Sequence, residues 1–241
     1  MPNKNKSLSQ PDYVLRISQE DFDLDVTLCC GQCFRWEKRE DVWQGVVGRH
    51  QLTLQQKGDQ LLFFNTTPKL AEGFWSDYFD LKTDYAAYKT LFSAHPVLKD
   101  ACAFSPGLHL LRQEPWETLC TFILSQNNNI PRIKGLVQRL CELFGESIED
   151  GLPAFPSPQR LAALSLEDLA PVRAGFRAKY LLDTAQKVAS GELPLDRVAD
   201  MNTEEARNEL MKIKGVGPKV ADCTLLFGFY KLDAFPQDVW I

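Results

Sequence analysis

The chain changes hydrophobic period once, near Pro68, and that single change restricts it to folds in which a sheet is followed by helices. From Phe34 to about Thr66 the segments VWQGVV (42–47), HQLTLQQ (50–56) and QLLFFNT (60–66) are short and strand-like, with a Lys57-Gly58-Asp59 turn between the last two. This predicts a small antiparallel sheet. Beyond Pro68 the apolar residues recur at helical spacing, first over Asp84 to Ala94. The expected class is α+β, with an N-terminal sheet domain over residues 1–110 and a helical body over 111–241.

Within the body, Glu114 and Pro115 open a helix whose Trp116, Leu119, Cys120, Ile123 and Leu124 share a face, ending near Asn127. A second starts after Asn129, with Pro131 in its first position, an apolar stripe from Ile133 to Phe144, and Gly145 as its stop. Ser157 and Ser165 read as caps of short helices, and a longer helix runs from Arg177 to Ser190, closed by Gly191. Asn202 with Glu205 resembles a capping box for a helix to about Ile213, which breaks at Gly215-Val216-Gly217-Pro218 before a new helix at Pro218 or Lys219.

With 44% apolar residues in 241, the chain can bury a substantial core. Its longest apolar runs, Leu61–Phe64 and Leu225–Phe229, are too short to span a bilayer, and MPNKNKSLSQPDY carries no secretory hydrophobic stretch. A cytosolic or nucleoid location is expected, nuclear in a eukaryote, with no membrane association. Seven cysteines in such a chain read as reduced thiols. Cys29, Cys30 and Cys33 lack a second Cys/His pair at ligand spacing, so no metal site is expected. The net charge of −5 argues against nucleic acid, but its distribution argues for it. Arg132–Arg139, Arg173–Lys179 and Lys212–Lys219 hold bases with no acid among them, and three such stretches suit one DNA-facing surface.

A Gly-x-Gly turn between two helices presents backbone N–H groups at a helix N-terminus, where Gly215 and Gly217 leave room for a DNA phosphate. Alone, GVG is equally an ordinary helix-turn-helix corner. Lys219 in the next helical turn, and FPQDVW with its Asp nineteen residues later, make the pattern far more specific.

Together with CCGQCFRW (29–36), LRQEPWETLCTFILSQNNNIPRIKGLVQRLCELFG (111–145), AGFRAKY (174–180) and KGVGPKVADC (214–223), these residues resemble the 8-oxoguanine DNA glycosylase/lyase family of the helix-hairpin-helix superfamily. The resemblance spans nearly the whole chain. It implies a bifunctional repair enzyme, acting as a monomer on duplex DNA containing oxidised guanine, that excises 8-oxoguanine opposite cytosine and then cleaves the strand by β-elimination. No metal or organic cofactor is needed, because the lyase step uses a protein amine.

By that resemblance Lys219 is the nucleophile that attacks C1′, and burial at a helix N-terminus among other cations favours its neutral form. Asp238 is the essential carboxylate, and it is also placed to cap a helix at 239–241. Gly31 offers its carbonyl to N7–H of 8-oxoguanine, a proton that guanine lacks, although Gly31-Gln32 is also an ordinary turn before a strand. Cys223, on the face of Lys219, packs on the flipped base or is simply a core thiol.

Asn127 fills the space left by the extruded nucleotide, or belongs to a plain interhelical turn. Arg132 and Arg177 hydrogen-bond the unpaired cytosine, and Phe176 is the wedge. Phe176, Lys179 and Trp240 stand where eukaryotic members carry Tyr, Arg and His. The family continues past the Asp through further helices, so the C-terminal part is expected to be incomplete at Ile241. The competing assignments are an endonuclease III or adenine glycosylase type enzyme and a non-catalytic DNA-binding fragment.

Overall fold

A computed structural model describes residues 10–148 and 151–238. The chain is α+β and divides into two compact units, 1–46 with 50–111, and 47–49 with 112–241.

The first unit is built on five antiparallel strands: β1 (Tyr13–Arg16), β2 (Trp36–Arg39), β3 (Val42–Val47), β4 (His50–Lys57) and β5 (Gln60–Phe64), in the order β1-β5-β4-β3-β2. The β4–β5 hairpin turns at Gly58-Asp59 with Gly58 at φ +58°, so the register runs from Lys57 opposite Gln60 to Thr53 opposite Phe64. Successive residues Leu52 to Gln55 and Leu61 to Phe64 are buried, so both faces of these central strands are covered. That explains QLLFF, an apolar run without alternation. β1, which the sequence did not reveal, pairs Tyr13 with Phe63 and Arg16 with Gln60.

Gly45 lies opposite Trp36, where any Cβ would collide with the indole. The space freed there admits Trp36 to a buried aromatic cluster with Trp75, Tyr78 and Phe79, and its Nε1–H donates to the Tyr78 hydroxyl at 2.9 Å. Helix α1 (Leu24–Cys29) is capped by Asp23, whose carboxylate accepts from the Val26 N–H. After the sheet come α2 (Pro68–Leu70), a π-helical stretch (Ala71–Trp75), α3 (Ser76–Tyr78), α4 (Tyr85–Phe92, capped by Asp84) and α5 (Pro96–Phe104).

The second unit is helical: α6 (Pro115–Ser125), α7 (Ile130–Phe144), α8 (Pro158–Ala162), α9 (Leu166–Leu169), α10 (Arg177–Ala189), α11 (Leu195–Asp200), α12 (Thr203–Leu210) and α13 (Pro218–Gly228). Its caps follow the local chemistry. Glu114 accepts from Trp116 and Glu117 N–H groups, Asn129 from Arg132, Ser157 from Arg160, and Ser165 forms a reciprocal box with Asp168.

Four sequence expectations need correction. Asn202 makes only the forward bond, from Glu205 N–H, so it is a simple cap and not a box. Pro131 is the second helical residue after Ile130, and α12 closes at Leu210, with tighter turns carrying the chain to Ile213. Gly145 ends α7 in extended conformation (φ −72°, ψ 153°), not left-handed; it is a glycine because a Cβ would strike the carbonyls of Ala154 and Cys141. Helix α13 runs through the centre of this unit, with Val220 to Leu225 consecutively buried against α6 and α12.

Candidate active site and DNA-facing surface

Lys219 is the second residue of α13, two positions after Gly217 of the Gly215–Gly217 loop, and its Nζ lies 3.7 Å from Asp238 Oδ2. The side chains are 36% and 46% exposed. At that exposure an ion pair contributes roughly 0–1 kcal/mol to stability, so the pairing does little to hold the fold. The expectation of a buried amine among cations is corrected: Lys219 is half-exposed, its ion-pair partner is a carboxylate, and its Nζ stands 5.7 Å over the Phe122 ring. Pro218 ends the turn and starts the helix so that the lysine emerges at the surface end. The capping role read for Asp238 at 239–241, and Trp240, fall outside the described residues.

Cys223, one turn further along α13, is 3% exposed. Burial pushes its thiol up to about 11, against the opposing charge of Lys219, with Asp222 and Asp238 adding to the rise. The thiol is therefore neutral at physiological pH. All seven cysteines are free thiols. Among the described residues no group of three or more His, Cys, Asp or Glu is disposed to hold a metal, and no helix is long and apolar enough to cross a membrane.

The loop between α6 and α7 separates the three asparagines by role. Asn128 donates to the Leu124 carbonyl (3.0 Å) and Asn129 caps α7. Asn127 is exposed and makes neither of these bonds; it is held at φ +45°, a conformation that asparagine tolerates better than most residues. What fixes it is Arg177, 2% exposed, whose Nε and Nη2 donate to the Gln126 carbonyl and whose Nη2 also reaches Asn127 O at 2.8 Å. Burial, then the charge of nearby Arg132, pulls the Arg177 guanidinium below its usual range. Arg132 is exposed. Arg177 therefore braces the loop, a role the sequence did not reveal, whereas Arg132 is open to a partner.

Phe176, immediately before α10, is 47% exposed, with the Arg177 guanidinium 4.4 Å from its ring centroid and Tyr180 edge-on at 5.9 Å. The two hairpin glycines differ. Gly215 has φ +86° and a Cβ there would enter the Tyr180 ring; Gly217 has an ordinary φ of −100° and nothing within 4 Å of a built Cβ. Among the described residues nothing requires glycine at 217. Helix α12 is tied to α13 by Arg207 Nε and Asp222 Oδ1 at 2.6 Å, which fixes the hairpin angle.

Gly31 belongs to the N-terminal unit. It follows the end of α1 at φ +88°, and neighbouring Gln32, 2% exposed, locks the turn by donating to Thr27 O and His109 O (2.9 Å each) and accepting from Leu111 N–H (2.9 Å). No local signal announces this lock, because its partners lie up to 79 residues away.

Residues 14–119 match the family model of the 8-oxoguanine DNA glycosylase N-terminal domain, and residues 120–241 that of the HhH-GPD superfamily base excision DNA repair protein. The N-glycosylase/DNA lyase OGG1 of Arabidopsis thaliana is 32% identical over 95% of this chain and 67% of its own length; the N-glycosylase/DNA lyase of Saccharomyces cerevisiae is 32% identical over 94% and 68%. Among solved structures, MBOgg1 in complex with a low affinity DNA ligand is 43% identical with a TM-score of 0.89, covering 94% of this chain and 80% of its own. The Clostridium acetobutylicum 8-oxoguanine glycosylase/lyase, in complex with duplex DNA containing cytosine opposite 8-oxoguanine, is 37% identical with a TM-score of 0.88, covering 96% and 84%. The chain belongs to the HhH-GPD superfamily of base excision DNA repair proteins, in the family of N-glycosylase/DNA lyases that carry the 8-oxoguanine DNA glycosylase N-terminal domain.

Proposed function

We propose that this chain excises 8-oxoguanine opposite cytosine from duplex DNA and cleaves the resulting abasic strand. The observation that carries the reading is Lys219 Nζ at 3.7 Å from Asp238 Oδ2, at the helix start that follows the GVG loop. Lys219, as the neutral amine, attacks C1′ as the base departs. Asp238 stabilises positive charge building on the sugar and takes part in moving the proton off the attacking nitrogen. Breaking of the C1′–O4′ bond, with a proton delivered to O4′, opens the sugar to a Schiff base; this acidifies the 2′ position, and loss of that proton expels the 3′ phosphate. Lys219 and Asp238 thus supply both steps without a metal or organic cofactor.

In this reading Cys223 offers the flipped base a neutral surface, and the Gly31 carbonyl of the first unit accepts from N7–H of the damaged base. Asn127 enters the vacated stack, Phe176 wedges beside it, and Arg132 reads the unpaired cytosine with Arg177 holding the loop. We assign residues 1–110 to the sheet domain that examines the base and 111–241 to the catalytic body. The protein acts as a monomer in the cytosol or nucleoid, or in the nucleus of a eukaryote.

Duplexes bearing 8-oxoguanine opposite each of the four bases, thymine glycol opposite adenine, or adenine opposite 8-oxoguanine test the assignment. Release and strand cleavage are expected for 8-oxoguanine, fastest opposite cytosine. Preferential release of thymine glycol or of adenine would overturn it in favour of the endonuclease III or adenine glycosylase chemistry.

The hairpin glycines give a second test. Gly215→Ala forces a left-handed alanine into Tyr180 and is expected to cost about 1–3 kcal/mol of stability. Gly217→Ala leaves thermal stability unchanged but weakens duplex binding at least roughly tenfold, since its Cβ obstructs the phosphate at the N–H groups. Equal duplex affinity for Gly217→Ala and the parent would remove the phosphate site.

A further inference from the structure

His109 is 3% exposed, and both of its ring nitrogens face backbone carbonyls: Nδ1 lies 3.0 Å from Phe79 O and Nε2 lies 2.7 Å from Asp21 O. A neutral imidazole has one N–H, so it can donate to one of these oxygens and must press a lone pair against the other; an imidazolium donates to both. Tyr85 stacks on the ring at 3.8 Å and 16°, presenting a π face that favours a cation. Asp80, 1% exposed, brings its charge to bear on the ring while accepting from the Thr83 and Tyr85 hydroxyls at 2.8 Å each. The Asp21 carboxylate accepts from the Ser18 hydroxyl, and Arg16, Asp59 and Asp84 line the groove outside.

Burial opposes the charge and draws the His109 pKa below the usual histidine value, while the carbonyls of Phe79 and Asp21 and the Asp80 charge oppose that fall. Geometry decides between them. Two acceptors at hydrogen-bond distance on the two ring nitrogens leave the neutral ring with a repulsive contact that no tautomer removes.

The backbone of the same residue reaches the base-reading turn. His109 N–H donates to Thr27 Oγ1 (3.2 Å), and His109 O accepts from Gln32 Nε2, the bond that locks the residue beside Gly31. The ring ties the segment before α1 to the end of α3, and its main chain carries that anchorage to Gln32. We propose that His109, as a buried imidazolium donating from both ring nitrogens, is the positioning residue that aims the Gly31 carbonyl and so sets discrimination of 8-oxoguanine from guanine. This rests on the reading of Gly31 given above.

Two-bond proton–nitrogen spectra of the ¹⁵N-labelled chain at pH 7 test it directly. Both His109 nitrogens, assigned by their loss in His109→Gln, are expected at imidazolium positions; one pyrrole-like and one pyridine-like nitrogen would overturn the proposal whether or not any variant folds. The second readout is the excision preference for 8-oxoguanine over guanine opposite cytosine. His109→Arg, a permanent cation with several donors, is expected to keep that preference within about threefold, and His109→Gln, with one donor end, to lower it at least roughly tenfold. Equal preference in His109→Gln and the parent, or equal loss in both variants, would refute it. A parent with no preference for 8-oxoguanine would instead overturn the function proposed above.

Discussion

Asp238→Asn is expected to lower 8-oxoguanine excision by roughly 10²–10⁴-fold, the range that a positioned acid–base group contributes. Asparagine keeps the size of the side chain but cannot balance positive charge on the sugar or accept a proton. Because the Asp238 carboxylate is 46% exposed and its pairing with Lys219 spans 3.7 Å, its loss changes stability by no more than about 1 kcal/mol. Excision on 8-oxoguanine opposite cytosine, measured in single turnover beside thermal melts, separates the effects. A variant within threefold of the parent would assign Asp238 to structure alone.

The expected effect also depends on what the carboxylate does to the amine. Lys219 is 36% exposed beside Asp238, so burial does not shield the proposed nucleophile from solvent. In the proposed mechanism the carboxylate takes the proton from the attacking amine, which joins the two side chains in one step. Removing either is therefore expected to cost about as much as removing both, as happens when residues act as a unit.

Elements whose signals are local were legible in the sequence. Glu114, Asn129, Ser157, Ser165 and Asn202 announce helix starts because a cap and its target N–H lie two or three residues apart. The Gly58-Asp59 hairpin and the Gly215–Pro218 break are equally local. Strand β1 was not legible: four residues with simple alternation form it only by pairing with β5, nearly fifty residues on. The same holds for Gln32 and His109, whose partners come from segments far apart in sequence.

In the candidate site, type and spacing singled out Lys219 and Asp238 but not their exposure, because Pro218 sets where α13 begins and so which residue stands at its surface end. Three consecutive asparagines look alike in sequence, and only their hydrogen bonds separate a carbonyl brace, a helix cap and an exposed side chain. Arg177 illustrates the limit from the other side. Sequence marks it as a cation able to meet DNA, whereas its guanidinium turns inward to the carbonyls that shape the Asn127 loop.

The central claim is that Lys219 forms a covalent bond to the sugar of the damaged nucleotide. Lys219→Gln retains length and polarity but has no nucleophilic amine, and the half-exposed position makes it neutral for folding to within about 1 kcal/mol. The measurement is borohydride trapping on a duplex with 8-oxoguanine opposite cytosine, with the adduct peptide mapped by mass spectrometry. A covalent protein–DNA species in the parent, attached at Lys219 and lost by at least roughly 10³-fold in Lys219→Gln, is the predicted result. No adduct in the parent, or one that persists in the variant, would contradict the account.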